Sequence, residues 1–144
     1  MKILSYMSPL KIVSVCGLVL GLSVSQVSLA NEHVSECKNH VQNKIAWNYD
    51  GKTHWEEKNL DALCKNATVP KEPGECFNKI MHGKVNWGSS DQWEWKNALS
   101  LCSGSNNSDA TVTCFKKRIE AKENWNTAIL ECQLNTKNNN KIPM

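Results

Sequence analysis

The chain has 144 residues, with 7 Cys and 6 Trp, and its 17 Lys+Arg nearly balance its 14 Asp+Glu. That balance excludes a strongly basic nucleic-acid binder. The length fits one domain with a modest core that covalent cross-links would help to hold.

Residues 1–30 read as a secretory signal. Lys2 and Lys11 supply positive charge, Ile12 to Val24 is apolar, and Ser28-Leu29-Ala30 places small residues at the −3 and −1 positions of a cleavage site. The apolar stretch is short for a membrane span, which needs about 20 residues. Val15 is a poor residue to precede Cys16 in a lipoprotein signal, so the expectation is removal, with no transmembrane anchor. Cys16 leaves with the signal, and the rest of the chain is close to neutral. Cys37, Cys64, Cys76, Cys102, Cys114 and Cys132 remain, an even set that reads as three disulfides of an exported protein.

The segments Cys37 to Cys64, Cys76 to Cys102 and Cys114 to Cys132 align as an internal repeat whose first cysteines lie 39 and then 38 residues apart. Each carries Lys-x-x-Trp: Lys44/Trp47, Lys84/Trp87 and Lys122/Trp125. Each also has an apolar pair near its end: Ala62/Leu63, Ala98/Leu99 and Ala128/Ile129. Helical spacing fits both halves of a unit. Val34, Cys37, Val41 and Ile45 share a face, as do Phe77, Ile80, Met81 and Val85; Trp95, Ala98, Leu99 and Cys102 repeat as Trp125, Ala128, Ile129 and Cys132. Turn residues separate the halves at Asn48 to Gly51 and Asn86 to Asp91. Thr53-x-x-Glu56 and Asp91-x-x-Glu94 read as capping boxes opening the second helices. In the third unit Asn124 to Thr127 is the turn candidate, and one continuous helix is the alternative.

The expected fold is therefore all-α: three consecutive helical hairpins, about six short helices, in a single domain over residues 31–134. A cysteine at the start of helix A and one at the end of helix B would meet at the open end of each hairpin, giving Cys37–Cys64, Cys76–Cys102 and Cys114–Cys132. The rival is pairing across the linkers, Cys64–Cys76 and Cys102–Cys114. A straight third unit would hold its cysteines about 27 Å apart, beyond bonding reach. The linkers 65–75 and 103–109 are polar, and 135–144, with Asn138-Asn139-Asn140, is expected to be a disordered tail.

Hairpin geometry puts the cysteines at one pole and Trp47, Trp55, Trp87, Trp93 and Trp125 near the turns, with Trp95 one step further in. One account is that the indoles fill the core where disulfides are lacking. Against it, Trp93 and Trp95 stand at i and i+2 of a helix and cannot share a face, so at least one should be exposed, as at an interface. Lys44, Lys84 and Lys122 either complement helix dipoles or form a ligand-binding pole with Trp47, Trp87, Trp93 and Trp125. Ammonium groups beside amphipathic rings suit an anionic membrane surface; the same aromatic, Asn-rich pole also suits sugar rings. Lys116-Lys117-Arg118 reads as a solvated helix face. Cys37-x-x-His40 has zinc-ligand spacing but no second pair, so no metal or cofactor is expected. No nucleophile elbow, phosphate loop or His-Glu-x-x-His occurs. Glu56, Glu57, Asp61 and Glu94 are better read as solvated charges than as a glycosidase pair, so no catalytic residue is nominated.

The repeated Cys-Phe…Trp…Ala-x-x-Cys pattern, with the bacterial-style signal and abundant Asn, resembles small disulfide-bonded helical proteins that intracellular bacteria export through the type II secretion pathway. The resemblance implies a secreted, host-facing, non-enzymatic virulence role; some such proteins engage phosphoinositide headgroups. The expected partner is an anionic lipid surface, with a glycan surface, a host protein or an extracellular hydrolase to be inhibited as alternatives.

Overall fold

The computed structural model describes residues 25–138; residues 1–24, with most of the expected signal, and 139–144 lie outside them. Six helices follow in order: α1 (Ser25–Val41), α2 (Glu57–Cys64), α3 (Glu72–His82), α4 (Trp95–Cys102), α5 (Ser108–Glu120) and α6 (Trp125–Asn138), with no strand among the described residues. They pair as three hairpins, closed by Cys37–Cys64, Cys76–Cys102 and Cys114–Cys132 with Cα–Cα distances of 5.7, 5.5 and 5.7 Å. The cross-linker pairing is thereby excluded. Closing loops of this length contributes roughly 3 kcal/mol per bond by chain entropy, and three such bonds fit an oxidising compartment.

Several boundaries differ from those read in the sequence. α1 begins before the expected cleavage point, and α6 runs to Asn138, into the segment expected to be tail. Cys37, Cys76 and Cys114 lie inside their helices, not at the first turn. The third unit is a hairpin, but its turn is 121–124. Lys122 takes a left-handed φ of 65° there, and Asn124 Oδ1 accepts from the Asn126 amide, so Trp125 to Thr127 are already helical. Counting back from the last cysteine, Leu60 and Leu63 in α2 take the buried places of Ala98 and Leu101 in α4; Ala62 is only half-buried.

The expected capping boxes do not form. α2 and α4 start one residue after Glu56 and Glu94, whose backbones are extended and whose side chains cap nothing. The cause lies in Trp55 and Trp93. The Trp55 amide donates to Gln42 Oε1 at 2.8 Å, and the Trp93 amide donates to the Tyr49 hydroxyl at 2.7 Å. Their indole N–H groups donate to the carbonyls of Ile45 (2.8 Å) and Val85 (2.7 Å). With both donors of each residue committed outside the helix, residues 53–55 and 91–93 stay out of it. A buried indole N–H must find a partner, and this requirement overrides the capping preference.

Those two indoles also join the units. Trp55 packs edge-on against Phe77, the residue after Cys76, with ring centroids 4.8 Å apart. Trp93 packs at a tilt of 60° against Phe115, the residue after Cys114, at 5.0 Å. All four rings are buried. Helices α1 and α2 pack against α3 and α4, which pack against α5 and α6; the outer pairs do not touch. The molecule is a short solenoid, in which each unit's core is completed by its neighbour. The first unit carries Lys38 where the others carry Phe. That lysine bonds Asp61 and Glu57, which raise its pKa above the ordinary value. The third unit lacks the segment that would bear a third such Trp. Between units, Gly104 (φ 65°) donates to the Leu63 carbonyl at 2.8 Å, and a Cβ there would meet the Lys65 carbonyl oxygen at 2.4 Å.

Truncating Trp93 to Ala should cost about 3–5 kcal/mol in denaturant unfolding. Trp93→Phe, which keeps a ring but strands the Val85 carbonyl, should cost about 2 kcal/mol. No loss in Trp93→Phe would show that the hydrogen bond contributes nothing.

Candidate functional site

The three Lys-x-x-Trp elements are not equivalent in space. Trp47 and Trp87 lie in loops after the first helix of their units, whereas Trp125 is the first residue of α6, as Trp95 is of α4. Trp95 and Trp125 each stand seven residues before a cysteine, a spacing that carries the true equivalence. The loop indoles meet the helix-start indoles of the next unit. Trp47 packs edge-on to Trp95 (5.9 Å between centroids), and Trp87 to Trp125 (6.1 Å). All four are half-buried, and Trp55 and Trp93 are buried, so no tryptophan is exposed. The expectation of an exposed indole fails because Trp93 is not helical: it turns inward onto Phe115, and Trp95 turns toward Trp47.

The lysines divide as well. Lys84 and Lys122 each lie eight residues after the first cysteine of their units and have left-handed backbones, φ 55° and 65°. In the first unit Asn43 has that conformation (φ 61°), and Lys44 follows it. Lys44 is thereby turned away. Its ammonium donates to the Asn39 carbonyl at 2.9 Å, and it borders a separate depression with Glu36, His40 and Lys71.

Lys84, Trp87, Lys122 and Trp125 do converge. They line an open cleft of about 700 Å³ between the second loop and the α5–α6 turn, together with Asn86, Lys116, Glu120, Glu123 and Asn124. Arg118 holds Glu123 through two bonds of 3.0 and 2.8 Å and also pairs with Glu131. The Glu123 bond, followed by the carboxylate charges, raises the Arg118 pKa. With Glu123 so occupied, three ammonium groups face the cleft against the single carboxylate of Glu120. Lys116 was read as part of a solvated face; it reaches the cleft because α5 ends one turn later.

Two smaller clefts flank the indole pairs. Trp93 lines one of about 230 Å³ with Trp87, Gln92, Glu94, Asn97 and Trp125. Trp47 lines the other, about 200 Å³, with His54, Trp55, Glu56, Asn59 and Trp95. Position by position, these are the same cleft in successive units. Sequence reasoning passed over Asn59 and Asn97 and took Glu56 and Glu94 for capping residues; their equal distance from Trp55 and Trp93 was the available signal.

The six cysteines are all in disulfides, and among the described residues no three His, Cys, Asp or Glu side chains gather as a metal site. Among them, too, no helix is long and apolar enough to cross a membrane. Comparison with protein-family models, curated proteins and solved structures gives no match.

Left-handed backbone is costly for lysine and easier for asparagine. Lys84→Asn and Lys122→Asn, which copy Asn43 of the first unit, should therefore each raise unfolding free energy by about 0.5 kcal/mol. A loss of stability in both would show that the ammonium groups stabilise the fold rather than serve a ligand.

Proposed function

We propose that the protein is an exported, non-enzymatic binding protein that takes a phosphate-bearing anionic headgroup, of the phosphoinositide kind, at a host membrane surface. The observation that supports this reading is the convergence of Lys84, Lys116 and Lys122 with Trp87 and Trp125 around one open cleft. Two of these lysines keep an unfavourable backbone conformation at the site. Ammonium groups supply charge complementarity to phosphate, and half-buried indoles favour the interfacial layer of a bilayer. The site is narrower than the pole read in the sequence: it draws on the second and third units, and Lys44 and Trp47 are not part of it.

Co-sedimentation with phosphatidylcholine vesicles, with and without a phosphoinositide, tests the reading. The phosphoinositide-dependent increment should fall roughly thirtyfold in a Lys84→Gln/Lys122→Gln variant, at about 1 kcal/mol per lysine. It should weaken as salt shortens the screening length and should be unchanged by Lys44→Gln. An increment equal in wild type and double variant would overturn the proposal.

A further inference from the structure

The two smaller clefts are built alike and differ in one respect. In the first, both rings of the perpendicular pair already carry a cation. Lys52 Nζ lies 6.0 Å from the centroid of Trp47, and Lys96 Nζ lies 5.6 Å from that of Trp95. Both distances are within the range at which an ammonium is attracted to the negative face of an indole. In the second cleft the rings are Trp87 and Trp125, and the corresponding residues have no charge. Ser90 takes the place of Lys52, since the Trp87 amide bonds its carbonyl as the Trp47 amide bonds that of Lys52. Asn126 follows Trp125 as Lys96 follows Trp95. Among the described residues no cation lies over Trp87 or Trp125.

The carboxylates differ in the same sense. Glu56 in the first cleft is paired with Lys58 at 2.7 Å, which lowers its pKa through the hydrogen bond and the charge. Glu94 in the second has no ion-pair partner among the described residues. The second cleft thus retains three indoles and a carboxylate, but lacks the ammonium groups that lie over the paired rings and beside the carboxylate of the first.

We infer that the cleft between Trp87, Trp93 and Trp125 binds a quaternary or otherwise methylated ammonium group, with Glu94 supplying the counter-charge. Ring planes of Trp87 and Trp125 inclined at 66° form two walls of a corner, and Trp93, anchored to Val85, forms the third side. A methylated ammonium suits such a corner because its low hydration makes transfer from water cheap, while the ring faces and the carboxylate answer its charge. A sugar ring would need more hydroxyl partners than Gln92, Glu94 and Asn97 offer. The inference does not depend on the anion-binding cleft, which shares Trp87 and Trp125 but is lined by the lysines.

Choline, its neutral isostere 3,3-dimethylbutan-1-ol, and N-acetylglucosamine, titrated calorimetrically into the oxidised protein, test this. Choline should bind about tenfold or more tightly than the alcohol, and Glu94→Gln should weaken choline about tenfold, as expected of an interaction electrostatic in origin. A second variant, Ser90→Lys/Asn126→Lys, restores the first unit's cations while keeping every ring, and should abolish choline binding. Lys84→Gln/Lys122→Gln should leave it intact, which separates this site from the anion-binding one. Phosphatidylcholine vesicles identify the source: binding to vesicles as well as to free choline marks a lipid headgroup, and binding to choline alone marks a soluble ligand. No binding of choline, equal affinity for the neutral alcohol, preference for the sugar, or a choline affinity unmoved in both variants would each overturn the inference.

Discussion

The contact on which the rest of the structure depends is an indole from one hairpin set against the phenyl ring of the next. Trp55 with Phe77, and Trp93 with Phe115, each form a buried ring pair that spans two units. The disulfides close each hairpin, but they do not join one to another. The joining is done by rings, whose burial contributes on the order of 2–3 kcal/mol per side chain, and by bonds that cross units, such as that of the Trp93 amide to the Tyr49 hydroxyl. Among the three units, the first has Lys38 in place of the phenyl ring, and the third lacks the buried indole.

The same stacking generates the candidate site. Each junction has an inner pair, Trp on Phe, and an outer pair, Trp on Trp. The outer pairs remain half-buried because they lie where the loops open to solvent. A structural element repeated at both junctions therefore presents two similar clefts. At the first, Lys52 and Lys96 lie over the paired rings and Lys58 pairs with Glu56. The second is open, and it shares Trp87 and Trp125 with the lysine-lined cleft beside it. Repetition supplies the architecture, and unequal substitution at equivalent positions distinguishes the copy available to a ligand.

Much of this was legible in the sequence. The cysteine spacing and helical periodicity led to three hairpins and their disulfides, because both are local and regular. The indoles were harder. Lys-x-x-Trp in the third unit looks like that of the first two, but a deleted loop brings Trp125 into the place of Trp95. Thr53 and Asp91 offered good capping chemistry, and it was defeated by hydrogen bonds that the Trp55 and Trp93 amides donate to Gln42 and Tyr49, 13 and 44 residues away in the chain. The convergence of Lys84 with Lys122, and the departure of Lys44, turned on which residue of each turn is left-handed, and no composition or periodicity reports that. Long-range partners and single backbone angles decided the site; local pattern decided the fold.

The claim that joins fold to function is that two clefts with the same rings differ in whether a cation already lies over those rings. Indole N–H resonances, followed one by one by NMR during a choline titration, test it most directly. The Trp87 N–H, which bonds the Gln92 carbonyl at 3.0 Å, should shift together with those of Trp93 and Trp125, while those of Trp47 and Trp95 stay in place. Shifts of equal size at Trp47 and Trp95, or none at Trp87 and Trp125, would contradict the account.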